Sequence, residues 1–110
     1  MYARVTILSL QPGKSPEAMK TYKKSVLPAA RAQKGYRGSY VLADWKTDKG
    51  LTITFWRNEK DALASEANLY YQEQLIKVMG LFAGPPIREG YEVPIASLRL
   101  RSRTSSRRRS

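Results

Sequence analysis

Cysteine and histidine are both missing from this sequence. Without cysteine there is no disulfide, no thiolate nucleophile and no thiolate metal site, and a reducing cytoplasm is the natural setting. Without histidine the commonest general base and the commonest metal ligand are gone. Nucleophilic triads and histidine-based zinc or haem sites are therefore excluded, and neither a metal nor a cofactor is expected. Long apolar runs are also lacking, so no membrane span is expected. The opening MYARVTILSL has no basic segment leading into an apolar core, as a signal peptide would. No phosphate-binding loop is present: Gly84-Pro85-Pro86 lacks the lysine and the glycine spacing of one and reads as a helix stop. The nine acids are scattered singly, apart from Glu89 and Glu92 near the C-terminal strand. Those two read as solvated edge residues and not as an acid/base pair.

What is abundant is positive charge, +11 over 110 residues. Six of the 20 basic residues lie in the last stretch, SLRLRSRTSSRRRS, which carries no acid. The division expected is a folded domain over 1–96 and a basic, disordered tail over 97–110. Such a tail can act as an arm for nucleic acid or an anionic surface. It has no aromatic residue for base stacking, so an inert extension is the preferred reading.

Over 1–96 the pattern alternates between strands and helices. Tyr2 to Leu10 reads as a strand with apolar groups on both faces. Ser15-Pro16-Glu17 reads as a helix start, with Ser15 as cap and Pro16 in the first turn. Pro28 should kink or split that helix after Val26 or Leu27, and Gly35 should end it. Tyr36 to Lys46 and Leu51 to Arg57 form a hairpin about Thr47-Asp48-Lys49-Gly50. Leu51, Ile53 and Phe55 point one way along the second of these strands. Thr52, Thr54 and Trp56 point the other. Asn58 caps a helix from Glu59 to about Ala67, with Asp61 at the positive end of its dipole. A second helical stretch carries Tyr71, Leu75, Val78, Met79 and Phe82 on one face, and Asn68 is placed to cap it. Tyr91 to Ile95 alternates as a last strand, with Pro94 confining it to an edge.

The order β-α-β-β-α-β is the ferredoxin-like arrangement: α+β, a four-stranded antiparallel sheet with helices on one face. The other face still carries apolar residues, and in a chain this short a second copy is the economical cover. RNA-recognition motifs share the strand order, and Lys34-Gly35-Tyr36 opens like their aromatic signature. The match then fails. Arg37 stands where a small residue is needed, and the first strand lacks the second stacking aromatic. What remains is aromatic chemistry: Trp45, Trp56 and seven tyrosines could line an apolar pocket with polar handles, or simply fill the core.

KGYRGSYVLADWKTDKGLTITFWRNEKDALASEA, in this strand order, resembles the antibiotic biosynthesis monooxygenase family. Gly35-Tyr36 opens the second strand. Trp56 ends the third and is followed by Asn58, Glu59 and Asp61. Ala62 to Tyr71 is alanine-rich and ends in a tyrosine pair. Glu89-Gly90-Tyr91-Glu92-Val93 resembles the family's last strand. The resemblance implies a dimeric α+β barrel that takes a small aromatic molecule. Some members of the family oxidise phenols or anthrones to quinones without a cofactor, so the implied activity is a cofactor-independent monooxygenase acting on an aromatic or quinol-like compound. A non-catalytic binding dimer of the same fold is the alternative. The resemblance also implies Trp56, Asn58 and Tyr71 as substrate-binding residues. Glu66 stands where many members carry a histidine and is, with a tyrosine as the alternative, the candidate for assisting proton removal. The missing histidines leave haem degradation unsupported.

Overall fold

The computed structural model of the chain describes residues 1–98. The expectation of a disordered basic tail therefore lies almost wholly outside the described residues. Four strands, β1 (Tyr2–Ser9), β2 (Tyr36–Asp44), β3 (Lys49–Trp56) and β4 (Ile87–Glu92), form one antiparallel sheet in the order β2-β3-β1-β4. The helices α1 (Ser15–Thr21), α2 (Leu27–Arg31), α3 (Glu59–Ala67) and α4 (Tyr70–Val78) cover one face. This is the ferredoxin-like α+β fold that the element order predicts.

Alternation assigns every strand residue to a layer. Tyr2, Arg4, Thr6 and Leu8 of β1 face the helices, as do Thr52, Thr54 and Trp56 of β3. The opposite face carries Ala3, Val5, Ile7, Leu51, Ile53 and Phe55, flanked by Tyr40 and Leu42 of β2 and by Ile87 and Tyr91 of β4. The helix-covered face is thus the more polar of the two. The core it encloses is small, built on Tyr2, Trp56 and Ala62, with Tyr36 and Tyr70 packed against them.

Pro28 does divide the first helix, though without breaking it. A π-helical turn, Tyr22–Val26, joins α1 to α2, and every linking residue stays helical. Proline has no N–H for the carbonyl one turn back and its ring crowds that carbonyl; a wider turn relieves both.

Three expectations are corrected. Ser15 is not the cap: it is the first residue of α1, Lys14 precedes it without a side-chain cap bond, and the Ser15 hydroxyl donates to Asp48 Oδ1 at 2.7 Å. The hairpin turn comes two residues earlier than expected, over Trp45 to Asp48, because Asp44 pairs with Lys49. The Asp44 carboxylate organises it by accepting the N–H groups of Lys46 and Thr47, and Asp48 closes it with φ +59°. The last strand is not Tyr91 to Ile95 but Ile87–Glu92. Its residues read as turn and edge composition, yet Ile87 to Glu92 pair one for one with Ile7 to Tyr2 of the central strand. Pro94 falls just beyond the ladder, whose edge ends as Val93 N–H reaches the Met1 carbonyl at 2.9 Å.

Candidate functional site

Because the helix-facing side of the sheet is lined by short or polar side chains, helices and sheet do not close on each other. A cavity of about 100 Å³ remains between them. Thr6, Thr52 and Thr54 form its floor, and Val26, Leu75, Val78 and Phe82 form an apolar roof. Trp56, Tyr70 and Tyr71 wall one end, and Arg4 and Arg88 stand on the strands beside them. The volume is below the roughly 300–1,000 Å³ usual for drug-sized ligands. A single-ring compound suits it as it stands.

Trp56 is held from several sides. It lies in register with Tyr2 on β1 and with Tyr36 on β2. Tyr36 and Tyr70 meet it edge-on, with ring centroids 6.3 and 6.5 Å away and planes at 88° and 79°. Such edge-to-face packing adds to the stabilisation from area alone. The indole is 2% exposed, and its Nε1–H has no acceptor among the described residues.

The other polar centre is a three-membered ion cluster. Arg4 grips Glu66 in a two-point contact, Nε to Oε2 at 2.7 Å and Nη2 to Oε1 at 3.0 Å. Arg88 Nη2 donates to the same Oε2 at 3.2 Å. The Arg88 guanidinium also lies over the Tyr71 ring, 3.5 Å from its centroid, a close cation–π contact. Burial pulls the Glu66 carboxyl upward, but the Arg4 hydrogen bonds and the charges of Arg88 and Arg4 outweigh it and hold the group below the ordinary carboxylate range. The bond to Glu66 raises Arg4 in turn. Burial pushes the phenols of Tyr22 and Tyr70 up from their ordinary value. The opposing backbone makes room for the cluster at Gly90, which pairs with Arg4 across the ladder. A Cβ at Gly90 would overlap the Tyr2 hydroxyl and crowd Arg4 Nη1.

Of the residues singled out from sequence, Trp56 and Tyr71 line the cavity. Glu66 stands behind it, reaching it through Arg4 and Arg88. Asn58 does not line it: its side chain is exposed and Oδ1 accepts the Asp61 N–H at 2.9 Å, capping α3. Trp45, in the hairpin turn, is 61% exposed. Sequence reasoning passed over Arg4 and Arg88. A lone arginine among the apolar residues of a central strand, as in YARVTIL, was the mark to look for. Among the described residues no cluster of carboxylates could hold a metal ion, and no helix is long and apolar enough to cross a membrane.

The ferredoxin-like sheet backed by helices is a fold this chain shares with solved antibiotic biosynthesis monooxygenase structures. Solved structures with this fold include a putative antibiotic biosynthesis monooxygenase from Nitrosomonas europaea, at TM-score 0.71 and 17% identity over 86% of this chain and 100% of that one. A monooxygenase from Streptomyces coelicolor, solved with the ligand nanaomycin D, superposes with TM-score 0.75 at 16% identity over 90% of this chain and 92% of its own. SnoaB, a cofactor-independent oxygenase from Streptomyces nogalater, does so with TM-score 0.70 at 14% identity, over 86% and 94%. No family model and no curated protein matches the sequence.

Proposed function

We propose that the domain binds a small aromatic or quinol-like compound in the cavity beside Trp56 and oxygenates it without a cofactor, working as a homodimer. The observation that carries this reading is the cavity itself, a walled space between sheet and helices with a buried indole at one end. Support comes from the folds it resembles, one solved with a small-molecule ligand and another a cofactor-independent oxygenase.

In such chemistry the ionised substrate is the reductant. An anthrone-type methylene that becomes a carbonyl supplies all the electrons that O2 takes up. One oxygen atom enters the carbonyl and the other leaves as water with the two methylene hydrogens. The protein then has three tasks: to hold the ring against Trp56 and Tyr71, to exclude water, and to stabilise the anion. The third is assigned to the arginine pair, because both side chains line the cavity. Glu66 enters this reading as the anchor of both guanidiniums. As a carboxylate held below its ordinary range it is a weak proton acceptor, and the raised phenols of Tyr22 and Tyr70 are weaker still.

That shortage of a base favours the second reading, a dimer that binds a small molecule without turning it over. Oxygen consumption with a panel of phenols and quinols, weighted to the single-ring compounds that suit the cavity, separates the two. Uptake that Trp56→Ala and Arg88→Gln abolish supports oxygenation. Retained ligand binding with no uptake across the panel assigns the protein to binding alone. In either reading residues 1–96 form the functional domain, in the reducing cytoplasm that the absence of cysteine fits.

A further inference from the structure

The cavity has a direction. Trp56 pairs with Tyr2 at one end of β1, and Arg4, Thr6 and Leu8 follow along the cavity side of the strand. Leu10 then bridges to Phe82. At about 3.3 Å per residue, Arg4 and Leu10 stand roughly 20 Å apart. Helix α4 runs the same way, from Tyr70 against Trp56 to Val78, just short of Phe82. The guanidiniums and the indole are thus gathered at one end, while Leu8, Val78 and Phe82 make the other end apolar. A groove of about 380 Å³ adjoins the apolar end, and Leu75 and Phe82 wall both spaces. Met79 and the run Ala83-Gly84-Pro85-Pro86 complete the groove, so no side chain in it carries a charge or an N–H or O–H group. Its backbone frame is tied down. Gln11 Nε2 donates to the carbonyls of Gly80 and Phe82 at 3.1 and 3.2 Å, and the Ala83 N–H reaches the Ser9 carbonyl at 2.7 Å.

We propose that the groove is a second compartment of the ligand site, and that the ligand is a single ring in the cavity carrying an aliphatic chain that runs past Phe82 into the groove. This rests on the cavity being the ligand site, and it adds the part of the ligand that the cavity cannot hold. The cavity alone is smaller than the roughly 300–1,000 Å³ usual for small-molecule sites, and the two spaces together fall within that range. Polarity falls in one direction along β1, so a ring with a polar head is oriented with the head towards Trp56 and the arginines. Its chain then points at Phe82. Beyond Phe82 a polar substituent would find no side-chain partner, whereas a chain of methylenes would cover the half-exposed Met79 and remove apolar surface from water. Phe82 has space on both sides, so a change of its rotamer opens the passage without moving the tethered backbone.

The test titrates the full chain with 4-methyl-, 4-propyl- and 4-pentylphenol by isothermal titration calorimetry at neutral pH, where these phenols are un-ionised. The methyl compound reads the cavity, and the longer ones read the groove. Each added methylene should tighten binding about twofold to fourfold, as removal of a CH₂ from water does. Two variants then address the groove. Gly84→Phe fills it from a position where a Cβ meets nothing within 4 Å. Met79→Lys places a charge in it from a half-exposed site. Each should cut the gain from methyl to pentyl by about tenfold or more and leave the affinity for the methyl compound within about twofold. Thermal melts identify a variant that fails to fold, and the other then carries the comparison. Affinity that does not rise with chain length overturns the proposal and leaves the cavity as the ligand site. A rise that both variants leave unchanged overturns it as well, since the chain would then lie elsewhere, as on the uncovered face of the sheet. If none of the three compounds binds, the cavity reading itself falls.

Discussion

Trp56 carries two duties at once. Its ring closes the small core with Tyr2 and Ala62, and its free edge walls the cavity. Replacing it with alanine removes the largest buried side chain of that cluster, and an expected cost of roughly 3–5 kcal/mol should show in urea denaturation. Trp56→Phe keeps the ring packing and should cost clearly less, while removing the Nε1–H that faces no acceptor. Equal losses for the two variants would mean that the indole is not the packing centre described here. Glu66 gives a prediction with a sign. Its folded pKa lies below the unfolded value of roughly 4.3. The stabilisation it contributes is therefore fully present above that value and is lost as pH falls through the folded one. Glu66→Gln should be less stable than the parent near neutrality, by up to about 1 kcal/mol for a partly solvent-screened pair. The gap in Tm should narrow as the pH falls below that unfolded value and through the folded one. A gap that stays constant over that range would contradict the account.

At the scale of elements, local chemistry was the most legible. Asn58 caps α3 as its place before Glu59-Lys60-Asp61 indicates, and Asn58→Ala should cost about 1 kcal/mol, readable by thermal melt. Pro28 marked a defect in the first helix because the lost N–H is a property of the residue itself. Long-range pairing was less legible. In β4 the run Ile87–Glu92 has glutamate and glycine where strand formers are usual. It is a strand because β1 offers it a full antiparallel ladder, which no local pattern records. The hairpin turn shifted for a related reason: Asp44 organises it through side-chain bonds that outweigh the turn-like look of Lys49-Gly50. The cavity was half legible. Alternation put Thr52, Thr54 and Trp56 on one face, but only the position of the helices makes that face the lining. Arg4 and Glu66 lie 62 residues apart, and no spacing rule joins them. Gly35 shows how tightly the β2 entry fits α3. It sits at φ +82°, and a Cβ there would overlap the Asp61 side chain, which pairs with Arg57 at 2.8 Å. Gly35→Ala should cost about 1–2 kcal/mol for the left-handed backbone and about 1–3 more for overpacking. Gly84→Ala, where a Cβ meets nothing within 4 Å, is the control and should stay within about 0.5 kcal/mol.

For the whole molecule the consequence of the layering lies on the uncovered face. Val5, Ile7, Leu51, Ile53 and Phe55 occupy the centre of the sheet, and among the described residues no helix lies over them. Tyr40, Leu42, Ile87 and Tyr91 around them are each about half exposed, and Tyr40 stacks edge-on against Phe55 at 6.1 Å. A monomer rarely leaves a contiguous apolar patch of this extent in water, so the proposed homodimer is expected to form through this face. A second copy offers the same surface, so a two-fold interface is self-complementary. The two sheets would then share one apolar layer while each helix layer keeps its own cavity. Ile53 sits at the middle of this face, opposite Val5 on one side and Tyr40 on the other. Sedimentation equilibrium of the parent protein should give twice the chain mass of 12.5 kDa. Ile53→Glu places a charge where the interface would desolvate it, at a cost of several kcal/mol, and should sediment as a monomer with its secondary structure intact. A parent that stays monomeric at high concentration would overturn the pairing of this face, and Ile53→Glu would then leave the mass unchanged.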